Sequence, residues 1–276
     1  MTQENETVSE LSLVEAFKAR HSCRSFKGTF PEEKKQILAE IVDDVNKLKT
    51  PFGSHVEIAI HGPGLGKMGF ISNETGWLLQ KIPNEIMDDV EKRNKAYTDA
   101  SYLLQHAVMK MTQNRISTVW IAGTFSAKKA QESTPGFSVP AVVAFGEEST
   151  PHLMSKVIKF FSPGKRFPIS DLFFDNVNKT AFNDQSSGQN LELFECVRSG
   201  PSAVNHQTWR FVVNENSIDL FNGKGDAYSI FDMGIAIANL EMICKEIKGK
   251  ADIIIKEEAP EPSPLGGTYV ATVSFE

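Results

Sequence analysis

GPSAVNHQTWRFVV, residues 200–213, is the stretch on which the fold reading turns. NLELFECVRS before it has helical spacing, and TWRFVV at its end has the β-branched and aromatic content of a strand. Between them, the bend from Gly200 to Trp209 is rich in Pro, Ser and Asn, which expose backbone amides and short side chains at close range. Recognising a flat heteroaromatic ring by its edge needs such a surface. A plain helix-to-strand turn with Trp209 in the core accounts for the same residues.

Working outward, SIDLF reads as the next strand, MGIAIANLEMICKEI as a helix, and DIIIK and TYVATVSF as two closing strands. Upstream, beyond a linker containing Pro163, Gly164 and Pro168, lies a first half of similar order. LVEAFKAR is an amphipathic helix. Pro31 with Glu32 and Glu33 starts another, whose apolar face carries Ile37, Leu38, Ile41, Val42, Val45 and Leu48. HVEIAIHG reads as a strand, followed by a glycine-rich loop, a helix marked by Leu104, Ala107, Val108 and Met111, and the strands STVWIAG and VPAVVAFGEE. The expected order of this half is helix, helix, strand, helix, strand, strand. Ala141, Val143 and Phe145 near its end match Ala271, Val273 and Phe275 near the end of the chain. The expectation is an α+β protein made of two similar halves, 11–160 and 161–276, with helices packed around antiparallel sheets.

At 276 residues and 41% hydrophobic side chains, the chain can bury a sizeable core. Its net charge of -6, from 35 acidic and 29 basic residues, is spread out and leaves no basic stripe for nucleic acid. No apolar run approaches the roughly 20 residues of a spanning helix, and the polar start MTQENETVSE reads as cytoplasmic. Cys23, Cys196 and Cys244 are odd in number and widely spaced, and the histidines lack ligand spacing, so neither disulfides nor a metal are expected. HGPGLGKMG is no phosphate loop: Gly62, Gly64 and Gly66 alternate, and Met68 stands where Ser or Thr is required. No GxSxG elbow points to hydrolase chemistry.

A second polar cluster is Arg20-His21-Ser22-Cys23-Arg24, between the LVEAFKAR helix and the helix after Pro31. Two guanidinium groups four residues apart, with a hydroxyl between them, suit a phosphate and a second anionic group held by charge-assisted hydrogen bonds. A solvated helix end fits the same spacing equally well.

Together and in this order, the two clusters resemble the nitroreductase family. RHSCRSF is similar to that family's RRS-x-R-x-F or RHS-x-K signature, and GPSAVNHQTWRFVV to its aPSa-x-N-x-QPW-x-F loop and strand, with Thr208 where proline is usual. TVWIAGTF resembles the glycine-containing turn beside the flavin, and GKRFP the C-terminal basic pair. The family builds homodimers with two FMN sites, each completed by the partner's PSA-x-N loop. Here the first half has the arginine motif but KTPFGSHVEI in place of that loop, and the second half has the loop but only RFPISDLFFDN before it. The resemblance therefore implies a monomeric pseudo-dimer, rather than an obligate homodimer, with one surviving FMN site.

It further implies roles. Arg20, Ser22 and either Lys165 or Arg166 would hold the FMN phosphate, for which a solvated loop is an equal alternative at the last two. Arg24 would stand near N1 and O2 of the ring, and His21 would make a backbone or phosphate-ribityl contact. Pro201, Ser202, Ala203, Asn205 and Gln207 would border the ring from the other half, with the amides of Ala122 and Gly123 approaching N5. No catalytic side chain is required. NADH or NADPH would reduce the flavin, and a nitroaromatic, a quinone or another flavin would reoxidise it. A non-catalytic FMN-binding protein, its cleft closed by an insertion between Phe70 and Tyr97, is the alternative, and a fold relative without flavin a third.

Overall fold

The computed structural model describes residues 9–67, 69–149, 165–223, 225–262 and 264–276. Met68, Pro163, Gly164 and the expected boundary at 160 and 161 lie outside them.

Helix α1 (Leu13–Ala19) opens on a capping box: the Glu15 amide donates to Ser12 Oγ, and the Glu15 carboxylate accepts from the Ser12 amide. Helix α2 (Glu32–Val45) follows Pro31 and buries Leu38, Ile41 and Val45. Then come β1 (Glu57–His61), β2 (Gly76–Pro83), the long α3 (Val90–Gln113), β3 (Ser117–Ile121), α4 (Ala127–Ser133), β4 (Phe137–Ser138) and β5 (Val142–Gly146). The first sheet runs β1-β2-β5-β3, all antiparallel, with β4 beside β2.

Three elements of this half, β2, α4 and the two-residue β4, are additional to the expected order. Strand β2 shows no alternation because both its faces are covered; even Gln80 is fully buried, its Nε2 donating to Ser101 Oγ at 2.9 Å. Helix α4 buries only Ala130, too little for a periodic signal. The stretch between Phe70 and Tyr97, expected as an insertion, supplies β2 and the start of α3.

The second half contains α5 (Ile169–Leu172), β6 (Phe173–Asp175), β7 (Thr180–Ala181), α6 (Leu191–Arg198), β8 (Trp209–Val213), β9 (Ser217–Asn222), α7 (Ser229–Lys248), β10 (Asp252–Ile254) and β11 (Thr268–Ser274). Its sheet runs β10-β11-β9-β8-β6-β7, and the β6–β8 pair is parallel. Its first four strands repeat the first sheet: β8-β9-β11-β10 has the same connections as β1-β2-β5-β3, with a long helix between the second and third strands of each. The matching AVVAF and ATVSF segments fall on the equivalent strands β5 and β11.

The two long helices pack on each other, and one apolar cluster runs through both halves. Helix α7 is apolar nearly all round, as a central helix must be. At Gly234 it comes so close that a Cβ would stand 2.1 Å from the Thr98 carbonyl oxygen of α3. Among the described residues, no helix is long and apolar enough to cross a membrane.

Candidate functional site

Arg20 ends α1, and its half-buried side chain turns toward the end of α6, where Nη2 donates to the Ser199 carbonyl at 3.1 Å. The same carbonyl accepts from Arg166 Nη2 at 2.8 Å, while Arg166 Nη1 donates to Asn205 Oδ1 at 2.9 Å. Residues 20, 166, 199 and 205 thus form one cluster drawn from both halves. Burial first, and the Arg166 charge second, bring the Arg20 guanidinium down to about 10, so it stays a cation at neutral pH. Its Nε is shut off from solvent and has no hydrogen-bond partner. Among the described residues, neither Arg20 nor Arg166 bonds to a carboxylate.

The loop after Ser199 is strained. Val204, Asn205 and Gln207 have φ of 42°, 59° and 48°, a left-handed region that costs side-chain-bearing residues roughly 1–2 kcal/mol each. Several bonds hold it there. Ser202 Oγ accepts from the Gln207 amide at 3.0 Å, the Ala203 amide donates to Asp232 Oδ1 at 2.9 Å, and Asn205 Nδ2 donates to the Lys165 carbonyl at 3.0 Å. Gln207 is fully buried and braces the segment before α5, its Oε1 accepting from the Phe167 amide and its Nε2 facing the Lys165 and Asn205 carbonyls. Pro201, Ser202 and Ala203 are half-buried, and Val204 is 69% exposed. His206, at the surface, pairs with Asp226 at 2.9 Å.

The rest of the arginine motif lies along the first sheet. Ser22 bridges Thr118 in parallel and the Cys23 amide donates to the Thr118 carbonyl, so residues 22–24 run beside β3. Arg24 is half-buried, and its Nη1 reaches the Ser22 carbonyl at 3.5 Å. His21 faces outward, with Nε2 3.0 Å from Glu148 and Nδ1 3.0 Å from the Ala19 carbonyl. Ala122 and Gly123 are exposed just past the end of β3, with open space where a Gly123 side chain would be. Of the residues singled out in the sequence, Arg20, Lys165, Arg166, Ser202, Asn205 and Gln207 meet in one hydrogen-bonded cluster. Lys165 contributes its carbonyl there. Among the described residues, the side chains of Arg24 and His21 bond to neighbours in the first half.

Sequence reasoning missed the residues that connect the two sides. Ser199 acts through its carbonyl, which any residue could supply. From β3, Trp120 Nε1 donates to Gln105 Oε1 at 3.1 Å; Gln105 Nε2 donates to Asn239 Oδ1 at 2.8 Å. Asn239 Nδ2 is buried without a partner and lies so close to Gly200 that a Cβ there would be 2.4 Å from it. A buried polar ladder through α3 and α7 thus joins β3 to the loop. Asp232, a lone acid entering the apolar run MGIAIAN, was the one available signal of a buried anchor.

A family model described as "Putative TM nitroreductase" matches residues 12–244. The crystal structure of a protein described as a putative nitroreductase, from Thermotoga maritima, superposes with a TM-score of 0.64 at 17% identity, covering 100% of this chain and 99% of that one. A nitroreductase family protein from Clostridium difficile covers 56% of this chain and 95% of its own at 19% identity, TM-score 0.42. A nitroreductase with bound FMN from Desulfitobacterium hafniense covers 51% and 92% at 14% identity, TM-score 0.39. No curated protein matches the sequence. The fold is that of the Thermotoga protein, and, with the family model spanning most of its length, the chain belongs to the nitroreductase family.

Proposed function

We propose that this chain is a fused pseudo-dimer that binds one FMN between its halves and passes electron pairs from NADH or NADPH to a small electron-poor acceptor, such as a nitroaromatic or a quinone. The observation that carries the reading is the cluster of Arg20 and Arg166 on the Ser199 carbonyl, with Asn205 beside them. Two half-buried cations with no carboxylate bonded to them among the described residues, one with an orphaned Nε, fit a phosphate dianion. Nitroreductase membership supports the same cofactor.

Bound FMN would supply the two-electron chemistry; the chain's residues bind and orient. Arg20 and Arg166 would hold the phosphate. Arg24 would offer a positive charge to the pyrimidine end of the ring, where negative charge collects on reduction. The exposed amides at Ala122 and Gly123, with Ser202, Ala203 and the rest of the strained loop, provide edge contacts. Proximity of donor and acceptor in one cleft does the rest. The test is spectroscopic: the protein should purify yellow, and anaerobic NADH or NADPH should bleach the flavin band, which a nitroaromatic then restores. A yellow protein that neither nucleotide bleaches would show a flavin binder without this activity.

A further inference from the structure

Beneath the Gly200–Gln207 loop lies a carboxyl group that the proposed chemistry does not use. Asp232, 2% exposed in the first turn of α7, accepts the Ala203 amide on Oδ1 at 2.9 Å, and its Oδ2 is buried with no partner. The Thr208 hydroxyl lies against Asp232 and is itself buried without a hydrogen bond. Thr208 occupies the place where the resemblance in sequence expects proline. A carboxylate here would be a buried charge with the Ala203 amide as its one hydrogen-bond donor and no cation paired with it among the described residues. A carboxylic acid has a proton to share with Thr208 and still accepts from Ala203.

Taking the flavin site proposed above as its basis, we propose that Asp232 is the positioning residue that keeps this strained loop in its FMN-binding shape, and that it does so as a neutral acid bonded to the Ala203 amide. Losing the proton puts a charge under the loop and loosens the cofactor. The electrostatics agree with the geometry. Burial first, and the Asp226 charge after it, push Asp232 up to about 8, against the Ala203 amide and Thr208 hydroxyl that favour its anion. Since the folded value lies above the ordinary carboxylate range, the stability it lends is full at low pH and is lost as pH rises to about 8. Other ionisable groups close to Asp232 are Asp226 before α7, His206 on the loop and bonded to Asp226, Tyr228 at the helix start, and Tyr97 of α3, stacked on Phe231. Arg20 and Arg166 meet the loop at Ser199 and Asn205.

The test compares the full-length protein with Asp232→Asn, which keeps the acceptor for Ala203, adds donors for Thr208 and cannot ionise. FMN dissociation constants from fluorescence titration and thermal midpoints of the flavin-free proteins are measured from pH 6 to pH 9.5. The wild type should bind FMN about tenfold more weakly at pH 9 than at pH 7, beyond any change in Asp232→Asn. Its midpoint should fall relative to the variant over the same range. Titration of the FMN phosphate and of the neighbouring groups is common to both proteins and cancels. Asp232→Ala, with no acceptor for Ala203, should bind more weakly than wild type at every pH. Parallel pH profiles in wild type and Asp232→Asn, or weaker binding by Asp232→Asn at pH 7, would overturn the proposal. If the wild type takes up no FMN at any pH, the flavin reading fails, and the pair of thermal profiles then decides the role of Asp232 alone.

Discussion

Each half of the chain has a loop before the first strand of its four-strand repeat, β1 or β8, and in each a buried aspartate from the long helix holds that loop. In the first half Asp99 accepts the amides of Phe52 and Ser54, both at 2.9 Å, so both carboxylate oxygens are used. In the second, Asp232 accepts only Ala203 and keeps an orphaned oxygen. The first loop turns through a positive φ at Gly53, where glycine adopts it freely. The second places Val204, Asn205 and Gln207 in that region and has two guanidiniums drawn to its entrance. One loop is closed and relaxed; the other is strained and incompletely satisfied, as expected of a loop shaped for a ligand. The same kind of anchor thus holds two loops of different character.

Both anchors ride on the α3–α7 pair, so the largest effect should come from separating those helices. Gly234→Ala drives a Cβ into the Thr98 carbonyl and should cost about 3 kcal/mol, read as a fall in the urea midpoint of unfolding without a change in slope. Next, Arg20→Ala and Arg166→Ala should each weaken FMN binding by about 2 kcal/mol, some thirtyfold, in fluorescence titration. Lys49→Ala, beside the relaxed loop, should leave that affinity unchanged. Equal losses at Lys49 and Arg20 would erase the distinction between the loops. Asp99→Asn retains one acceptor for two amides and should lower stability by about 1 kcal/mol while FMN affinity holds. Smallest of all is Val204→Gly, where relief of a left-handed β-branched residue is offset by a more flexible unfolded chain; the net change in stability should be a few tenths of a kcal/mol.

Much of this was legible in the chain. The bend at 200–209 announced itself through Pro, Ser and Asn, and α1, α2, α3 and β8 through period and caps. Strand β2 and helix α4 did not, since one is covered on both faces and the other buries a single alanine. Within the site, side chains with a charge or an amide could be singled out: Arg20, Arg166, Asn205 and Gln207. The links between them could not. Ser199 acts through a carbonyl, and the Trp120–Gln105–Asn239 ladder depends on two helices that meet only in three dimensions. Arg24 reads like Arg20 in sequence, yet the helix end turns one toward the second half and leaves the other beside β3.

The most direct test is the number of flavins carried by each polypeptide, measured from absorbance and protein concentration after reconstitution with excess FMN and gel filtration. One per chain is the predicted result, with Arg20→Ala reducing it. Two per chain would mean that the Thr50–Ser54 loop also serves a site, and none would remove the cofactor from the account altogether.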